Sequence, residues 1–380
     1  MELIELGSIL HMEKGKKPLD QQKSEMDGYL PYVDIKAFEK RIIDNYASVE
    51  KSLLCEDGDL LIVCDGSRSG LTGKAIKGVV GSTLSKIYAD GVDTEYLRYF
   101  IQSKYALLNT KKKGTGTPHL NAEILKKSKL IVPTLKEQQH IVSKIEELFS
   151  SLDKAEETLN KTKEQIVIYR HSVLKDAFGK FKEKKKIRDM SIVVTSGSRG
   201  WAKYYADEGA RFIRITDLTR DGIALKNDSI KYVKLPDCAE GKRSRLKPND
   251  VLVSITADLG SIALIPENIP EAYINQHIAM IRFINPAQGK FMSWYLKSDY
   301  GQKDLLKNKR GGGKLGLGLD DIRDTFVPIV EDEKAIATVK EIDARLSACE
   351  KIEKTIDTIK KQAGAMRQSI LKEAFEGRLI

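Results

Sequence analysis

Gly311, Gly313 and Gly316 meet the GxGxxG spacing that lets backbone amides cradle a pyrophosphate, a use that also requires a strand before them and a helix after. The preceding LLKNKR (305–310) is polar and basic, and no helix opens in the right place, so no dinucleotide site is expected. Asn285-Pro286-Ala287-Gln288 shares two residues with the Asn-Pro-Pro-aromatic motif of amino-methyltransferases, but lacks the second proline and the aromatic that stacks on a flipped base; it reads as a turn. Pro236-Asp237 with Glu240 and Lys242 has the composition of a nuclease centre. Its halves are so close that the carboxylates share one turn instead of converging on a metal from neighbouring strands. His11, His119, His140, His171 and His277 show no ligand spacing and read as surface or satisfied core residues. Cys55, Cys64, Cys238 and Cys349 form no CxxC pair, so buried reduced thiols are expected, with neither disulfide nor zinc. These readings predict no catalytic centre, no metal and no cofactor.

What remains are basic loops. Lys111, Lys112 and Lys113 precede a Gly-Thr-Gly-Thr stretch that includes Thr115, and Lys307, Lys309, Arg310 and Lys314 surround a glycine run. Flexible glycines let backbone amides approach phosphate while the cations neutralise it. Lys14, Lys16 and Lys17 lie in EKGKKP; Arg199, Trp201, Lys203 and Tyr204 lie in SGSRGWAKYY. Trp201 reads equally well as a half-buried core anchor. Arg68, Lys242, Arg243 and Arg245 complete the candidates, and an arginine paired in bidentate fashion with guanine is expected among these arginines.

The net charge of +10 is distributed unevenly: +9 over residues 179–330 and +2 over 1–135, against −1 over 136–178 and zero over 331–380. A nucleic-acid partner for the first two segments fits this pattern. No stretch reaches 18 apolar residues and the Met1 end has no basic leader, so a cytoplasmic chain with no membrane partner is expected.

The elements that position these loops are duplicated. RHSVLKDAF (170–178) matches RQSILKEAF (367–375), and LIVPTLKEQQHI (130–141) aligns with TFVPIVEDEKAI (325–336). LRYFIQSKY (97–105) aligns with MSWYLKSDY (292–300), DGDLLIV (57–63) with PNDVLVS (248–254), and YVDI (32–35) with ITDL (215–218). The chain is therefore two copies of one unit, a mixed α/β globular domain followed by a helix. Short strands bounded by turn signals are expected in each domain, with helices near 93–108 and 288–304; KFKEKKK (180–186) reads as a solvated linker. Apolar residues at Ile141, Ile145, Leu148, Leu152, Ala155, Leu159, Thr162, Ile166, Tyr169 and Val173 keep a 4-3-4-3 spacing, the mark of a coiled-coil seam. The second seam reads Ile342, Leu346, Cys349, Ile352, Ile356, Ile359, Ala363, Met366 and Ile370, with a stammer around Cys349. Chain order makes the pair antiparallel. The expected fold is thus α/β: domains at 1–135 and 181–330, long helices at 136–180 and 331–380, and a pseudo-twofold internal repeat.

VPTLKEQQHIVSKIEELFSSLD (132–153), the paired R-x-S-[IV]-L-K-[DE]-A-F endings and the terminal FEGRLI (375–380) together resemble the specificity subunits of type I restriction-modification systems, over essentially the full chain. In the second copy Glu333 and Lys334 stand where the first has Gln138 and Gln139. The resemblance implies two target recognition domains, each reading one half of a bipartite, asymmetric DNA site. It implies helices that dock two modification (methyltransferase) subunits, restriction (endonuclease/translocase) subunits that join the assembly, and no catalysis by this chain itself. A fused enzyme would need motifs that are missing, and a protein-only coiled-coil adaptor would leave the basic loops without a use.

Overall fold

The computed structural model describes residues 3–114, 118–235, 243–307, 309 and 316–379. It divides into two compact units, Met1–Leu159 with Asp357–Ile380, and Asn160–Ile356. Each unit contains part of each long helix.

In unit 1 a four-stranded antiparallel sheet runs in the order Leu10–Lys14, Leu84–Ala89, Leu60–Val63, Thr72–Lys74. Its Leu60–Val63 strand is buried on both faces, which explains the unbroken apolar run LLIV. Leu60 and Ile62 join Tyr96, Leu97 and Phe100 of the helix Thr94–Thr110, whereas Leu61 and Val63 join Val33, Phe38 and Val80 on the other side. That other side belongs to a five-stranded sheet in which Tyr29–Val33 and Gly78–Val80 run parallel. A two-stranded ribbon pairs Leu3–Glu5 with Lys129–Ile131.

Unit 2 repeats the plan. Its antiparallel sheet runs Ser191–Ser196, Ile278–Phe283, Val251–Ser254, Ile262–Leu264. Val251 and Val253 face the helical core while Leu252 faces a second sheet, in which Ala210–Ile213 and Ala272–Ile274 run parallel. The ribbon here pairs Lys184–Lys186 with Phe326–Pro328. Only the first part of the stretch expected to be a solvated linker is one: Lys184–Lys186 form a strand, Phe181 is buried against Phe178 and Phe291, and Lys184 pairs with Asp304. Edge pairing uses only backbone groups, so three lysines can serve as a strand while their stems lie along the surface. Where unit 1 has one helix, unit 2 has Gly289–Lys297 and Asp299–Leu305, separated by Ser298 in extended conformation, which caps the second.

The long helices, Leu135–Phe178 and Asp332–Phe375, are each 44 residues, so equivalent positions lie 197 apart from end to end. This corrects the alignment of the helix openings by two residues: Pro133 corresponds to Val330, and Gln138 to Ala335. Thr134 and Glu137 form a reciprocal cap at the first helix, and buried Gln138 bonds Asp93 N, Gly91 O and Pro133 O, fastening the helix to the turn before Thr94–Thr110.

The helices pair antiparallel. In unit 1 Arg367 meets Asp153 at 2.6 Å and Glu156 at 3.3 Å; in unit 2 Arg170 meets Glu353 at 2.8 Å. Glu156 and Glu353 are repeat equivalents, as are the arginines, so both units hold the same register. The shared endings follow from this geometry: the arginine crosses to the opposite helix while Val173, Leu174, Ala177 and Phe178 enter the core of unit 2 and Ile370, Leu371, Ala374 and Phe375 that of unit 1.

The seam expected from periodicity holds at Ile141, Ile145, Ile166, Val173, Ile342, Leu346, Cys349 and Ile356, which are buried, and partly at Leu148, Leu152, Leu159 and Ile370. Ile352, Ile359 and Met366 are instead exposed, as are Ala155 and Tyr169. At those places the inward position belongs to the next residue along, Glu156, Arg170, Glu353, Lys360 or Arg367, each half-buried. The heptad therefore passes through Glu353 without a stammer. Aliphatic stems fill a narrow two-helix seam and ion pairs satisfy their heads, so polar residues compete with isoleucine there.

Candidate nucleic-acid interface

The loops that open the two domains share one constraint. A Cβ on Gly15 would lie 2.4 Å from the carbonyl oxygens of Val80 and Gly81, and one on Gly197 would overlap Ile274 O. Both glycines let the loop cross hard against the strand that carries the parallel pairing. Lys16 and Lys17 follow the first glycine, Arg199 the second, and all three are exposed.

In unit 1 this entry loop faces the end of the central strand. Lys14 Nζ donates to Asp65 at 2.9 Å, and His119 Nδ1 lies 2.7 Å from the other Asp65 oxygen. Burial pushes the Asp65 carboxyl up, but hydrogen bonds and charge from Lys14 and His119 outweigh it and hold the group below its ordinary value. The lysine loop is tied to the same place. Lys113 and His119 pair through their backbones, Lys112 Nζ donates to Ser67 O at 2.6 Å, and Asn109 donates to Ser67 and Ser69 carbonyls. A hollow of about 440 Å³ beside them is lined by Met12, Lys14, Asp65, His119 and Lys126. Lys14, Lys112 and Lys113 are thus brought together, with Lys111 exposed next to them. Arg68 is exposed but pairs with Glu39.

Unit 2 places Thr256 where unit 1 has Asp65. Thr256 Oγ1 lies 2.6 Å from His277 Nδ1, whose Nε2 lies 2.8 Å from Gln276 Nε2, and Asn275 Oδ1 accepts from His277 N. Thr256 bridges to Gly316, at the far end of the second glycine loop. Arg243 reaches Ser198 at 3.4 Å, Arg245 pairs loosely with Glu271 at 3.6 Å, and Lys203 lies over the Tyr204 ring at 4.9 Å. Lys307 and Lys309 are exposed at the loop's start. Trp201 is a correction: it is 6% exposed, stacked on Phe212 at 5.2 Å and packed on Tyr273, and so anchors the second sheet instead of facing a ligand. Thr115, Lys242, Arg310 and Lys314 lie outside the described residues, with Cys238 and the Pro236–Lys242 motif.

Sequence reasoning passed over Asp65, Thr256, Asn275 and Gln276, and read His119 and His277 only as surface or satisfied core residues. The available signal was positional, because LLIVCD and VLVSIT are buried strands that each end on a hydrogen-bonding side chain beside a turn. Together the loops offer exposed cations for phosphate and half-buried amide, imidazole, hydroxyl and carboxylate groups able to pair with base edges. Cys55, Cys64 and Cys349 are free and buried; burial pushes the Cys55 thiol up to about 11, leaving it unreactive. Among the described residues no group of three or more His, Cys, Asp or Glu gathers at metal-holding distance, and no helix is long and apolar enough to cross a membrane.

A family model described as the type I restriction modification DNA specificity domain matches residues 1–167 and again 180–361. The chain is 26% identical over 387 residues to the type I restriction enzyme MjaVIII specificity subunit of Methanocaldococcus jannaschii, covering 95% of this chain and 90% of that one. It is 23% identical to the EcoBI specificity subunit of Escherichia coli, covering 84% and 73%. Among solved structures, a chain from work on assembly and conformational transition of the type I R-M system superposes with TM-score 0.77 at 17% identity, covering 99% of this chain and 98% of that one. The HsdS subunit of Thermoanaerobacter tengcongensis gives 0.56 at 16% identity, covering 99% and 97%.

Proposed function

Because this chain belongs to the type I restriction-modification DNA specificity family, we propose that each globular domain reads one half of a bipartite, asymmetric duplex DNA site. The domains at 1–135 and 181–330 supply the reading loops. The helices at 136–180 and 331–380 act as spacer and as docking surface for two modification (methyltransferase) subunits, which restriction subunits then join. The chain itself catalyses nothing and works in the cytoplasm as part of that complex. One observation carries this reading: two copies of one scaffold present basic loops at the same strand end, yet carry different polar groups there, Asp65 with His119 in one and Thr256 with Gln276 and His277 in the other. Equal scaffolds with unequal edges suit two unequal half-sites, as paired half-site readers do in dimeric repressors.

The helices support the docking role through apolar groups facing outward. Tyr169 and Ile352 line a groove of about 550 Å³ in unit 2, and Ile359 and Met366 are exposed in unit 1. Single exposed apolar residues are ordinary, but apolar groups gathered along one groove, as Tyr169 and Ile352 are, suit a protein partner.

Methylome sequencing of the host with and without the gene tests the reading. Loss of one bipartite methylation motif is expected. An unchanged methylome, with partner proteins still bound, would leave a protein-only adaptor.

A further inference from the structure

In unit 2 the turn between the strands Ala272–Ile274 and Ile278–Phe283 is Asn275, Gln276 and His277, three half-buried polar residues in succession. Cationic loops meet it from both sides. Ser198 pairs with Asn275 through the backbone and is followed by exposed Arg199. Thr256, bonded to His277, pairs with Gly316 at the far end of the glycine loop that opens with exposed Lys307 and Lys309. In unit 1 the same turn is Gly81, Ser82 and Thr83: Cys64 N donates to Thr83 O as Ile255 N does to His277 O, and Leu84 N donates to Gly81 O as Ile278 N does to Asn275 O. The duplicate thus has no side chain, a short hydroxyl and a threonine where unit 2 has two amides and an imidazole.

These side chains constrain one another. Asn275 Oδ1 accepts from His277 N at 3.1 Å, so the first amide closes the turn on itself. Gln276 Nε2 lies 2.8 Å from His277 Nε2, and His277 Nδ1 lies 2.6 Å from Thr256 Oγ1. An amide nitrogen only donates, so His277 Nε2 accepts and the ring proton sits on Nδ1, shared with Thr256. Gln276 keeps Oε1 and one N–H, neither with a hydrogen-bond partner among the described residues, on a carboxamide that the imidazole holds in place. We propose that this edge of Gln276 recognises one adenine in the half-site of unit 2, with His277 and Thr256 as positioning residues; this rests on the reading that the domain contacts base edges. In the major groove adenine offers an N6–H donor and an N7 acceptor, the complement of that edge, whereas guanine would set an acceptor against Oε1. A side chain already held in position also loses less freedom on binding.

The test is selection from a duplex library randomised across both half-sites, using the full chain assembled with its modification subunits. Gln276→Ala is expected to erase the adenine preference at one position of one half-site, a loss of roughly 5- to 150-fold in discrimination, while the other word stays as it was. Gln276→Glu, of the same shape but able only to accept, is expected to move that position toward cytosine, whose N4–H donates. Thr256→Val should blunt the same position by a smaller factor, and Thr256→Ser, which keeps the hydroxyl, should restore it. If Gln276→Ala leaves both words intact, weakens every sequence equally, or loosens a position that was not adenine, this proposal is overturned and the half-site reading stands. A parent complex that selects no word at all overturns both.

Discussion

At the tip of its central strand unit 1 carries a carboxylate pinned between Lys14 and His119, while unit 2 carries a threonine hydrogen-bonded to His277. Behind those tips the units agree closely. Each has a strand buried on both faces, a parallel pairing in the second sheet, a glycine pressed against that pairing, and an arginine crossing to a repeat-equivalent glutamate. The helices beside the first sheets differ, whereas the second sheets keep their edge: Leu54–Cys55 pairs with Gly78–Val80 in unit 1, and Arg245 bridges to Tyr273 at the same place in unit 2. Packing constrains the framework from all sides at once, whereas a loop edge answers only to its ligand. Duplicates therefore drift apart at the edge first.

Core truncation should separate the units most. Phe178 is 2% exposed among Phe181, Phe291 and Tyr295, so Phe178→Ala should destabilise unit 2 by about 3–5 kcal/mol. Half-buried Phe375 should cost unit 1 less, near the bottom of that range. Both tryptophans, Trp201 and Trp294, lie in unit 2, so denaturation followed by tryptophan fluorescence reads that unit and amide exchange reads the other. Equal losses would mean that the rings do equivalent work despite their unequal burial.

Next in size come the lysine loops. Lys111, Lys112 and Lys113 changed together to Ala should weaken DNA binding at every sequence and flatten the log-log salt slope by about 0.9 for each phosphate left without its cation, roughly 3 at most. Lys307 and Lys309 changed to Ala should lower the slope by roughly 2 at most. An unchanged slope for either set, in fluorescence anisotropy titrations across salt, places that loop off the DNA.

The crossed ion pairs are a finer test. A double-mutant cycle on Arg170 and Glu353 should give a coupling of about 1 kcal/mol, because both side chains are well covered; Arg367 with Glu156 should give less, because the pair is longer and more exposed. A larger value in unit 1 would reverse the ranking.

The smallest effect concerns acid. Since the Asp65 carboxyl is held low, its contribution to stability is complete above the ordinary carboxylate value of 3.8 and disappears as pH falls through the lower folded value. Asp65→Asn should therefore reduce unit 1 stability at neutral pH and converge with the parent protein at the acid end. Amide-exchange protection across that range checks it, and a constant difference would assign the effect to packing.

The duplication, the long helices and the basic loops were legible because they depend on apolar period, charge and repetition. The rest depended on three-dimensional neighbours. Periodicity favoured Ile352, Ile359 and Met366 over Glu353, Lys360 and Arg367, since it ranks residues by hydropathy and does not see that an opposite charge awaits across the seam. Trp201, flanked by Arg199 and Lys203, carried the signature of a stacking platform; only the arrival of Phe212 and Tyr273 from distant strands decided that it is core. Lys184–Lys186 form a strand because Phe326–Pro328 offers an edge, which nothing within those lysines announces. The polar groups at the strand tips were dispersed as His119, Asn275, Gln276 and His277 until the sheet order gathered them.

Splitting each helix between the two cores sets an order of events during synthesis. Unit 2 is one uninterrupted stretch, Asn160–Ile356, and has every residue its core needs once that stretch has emerged. Unit 1 begins emerging before unit 2 but draws Leu371, Ala374 and Phe375 from residues made after the whole of unit 2. Its core stays open through the production of the whole second unit, closing a loop of about 200 residues whose entropic cost grows only logarithmically with length. Unit 1 thus starts before unit 2 and finishes folding after it, and truncation near residue 370 should leave the second unit native while exposing the apolar face of the first to aggregation.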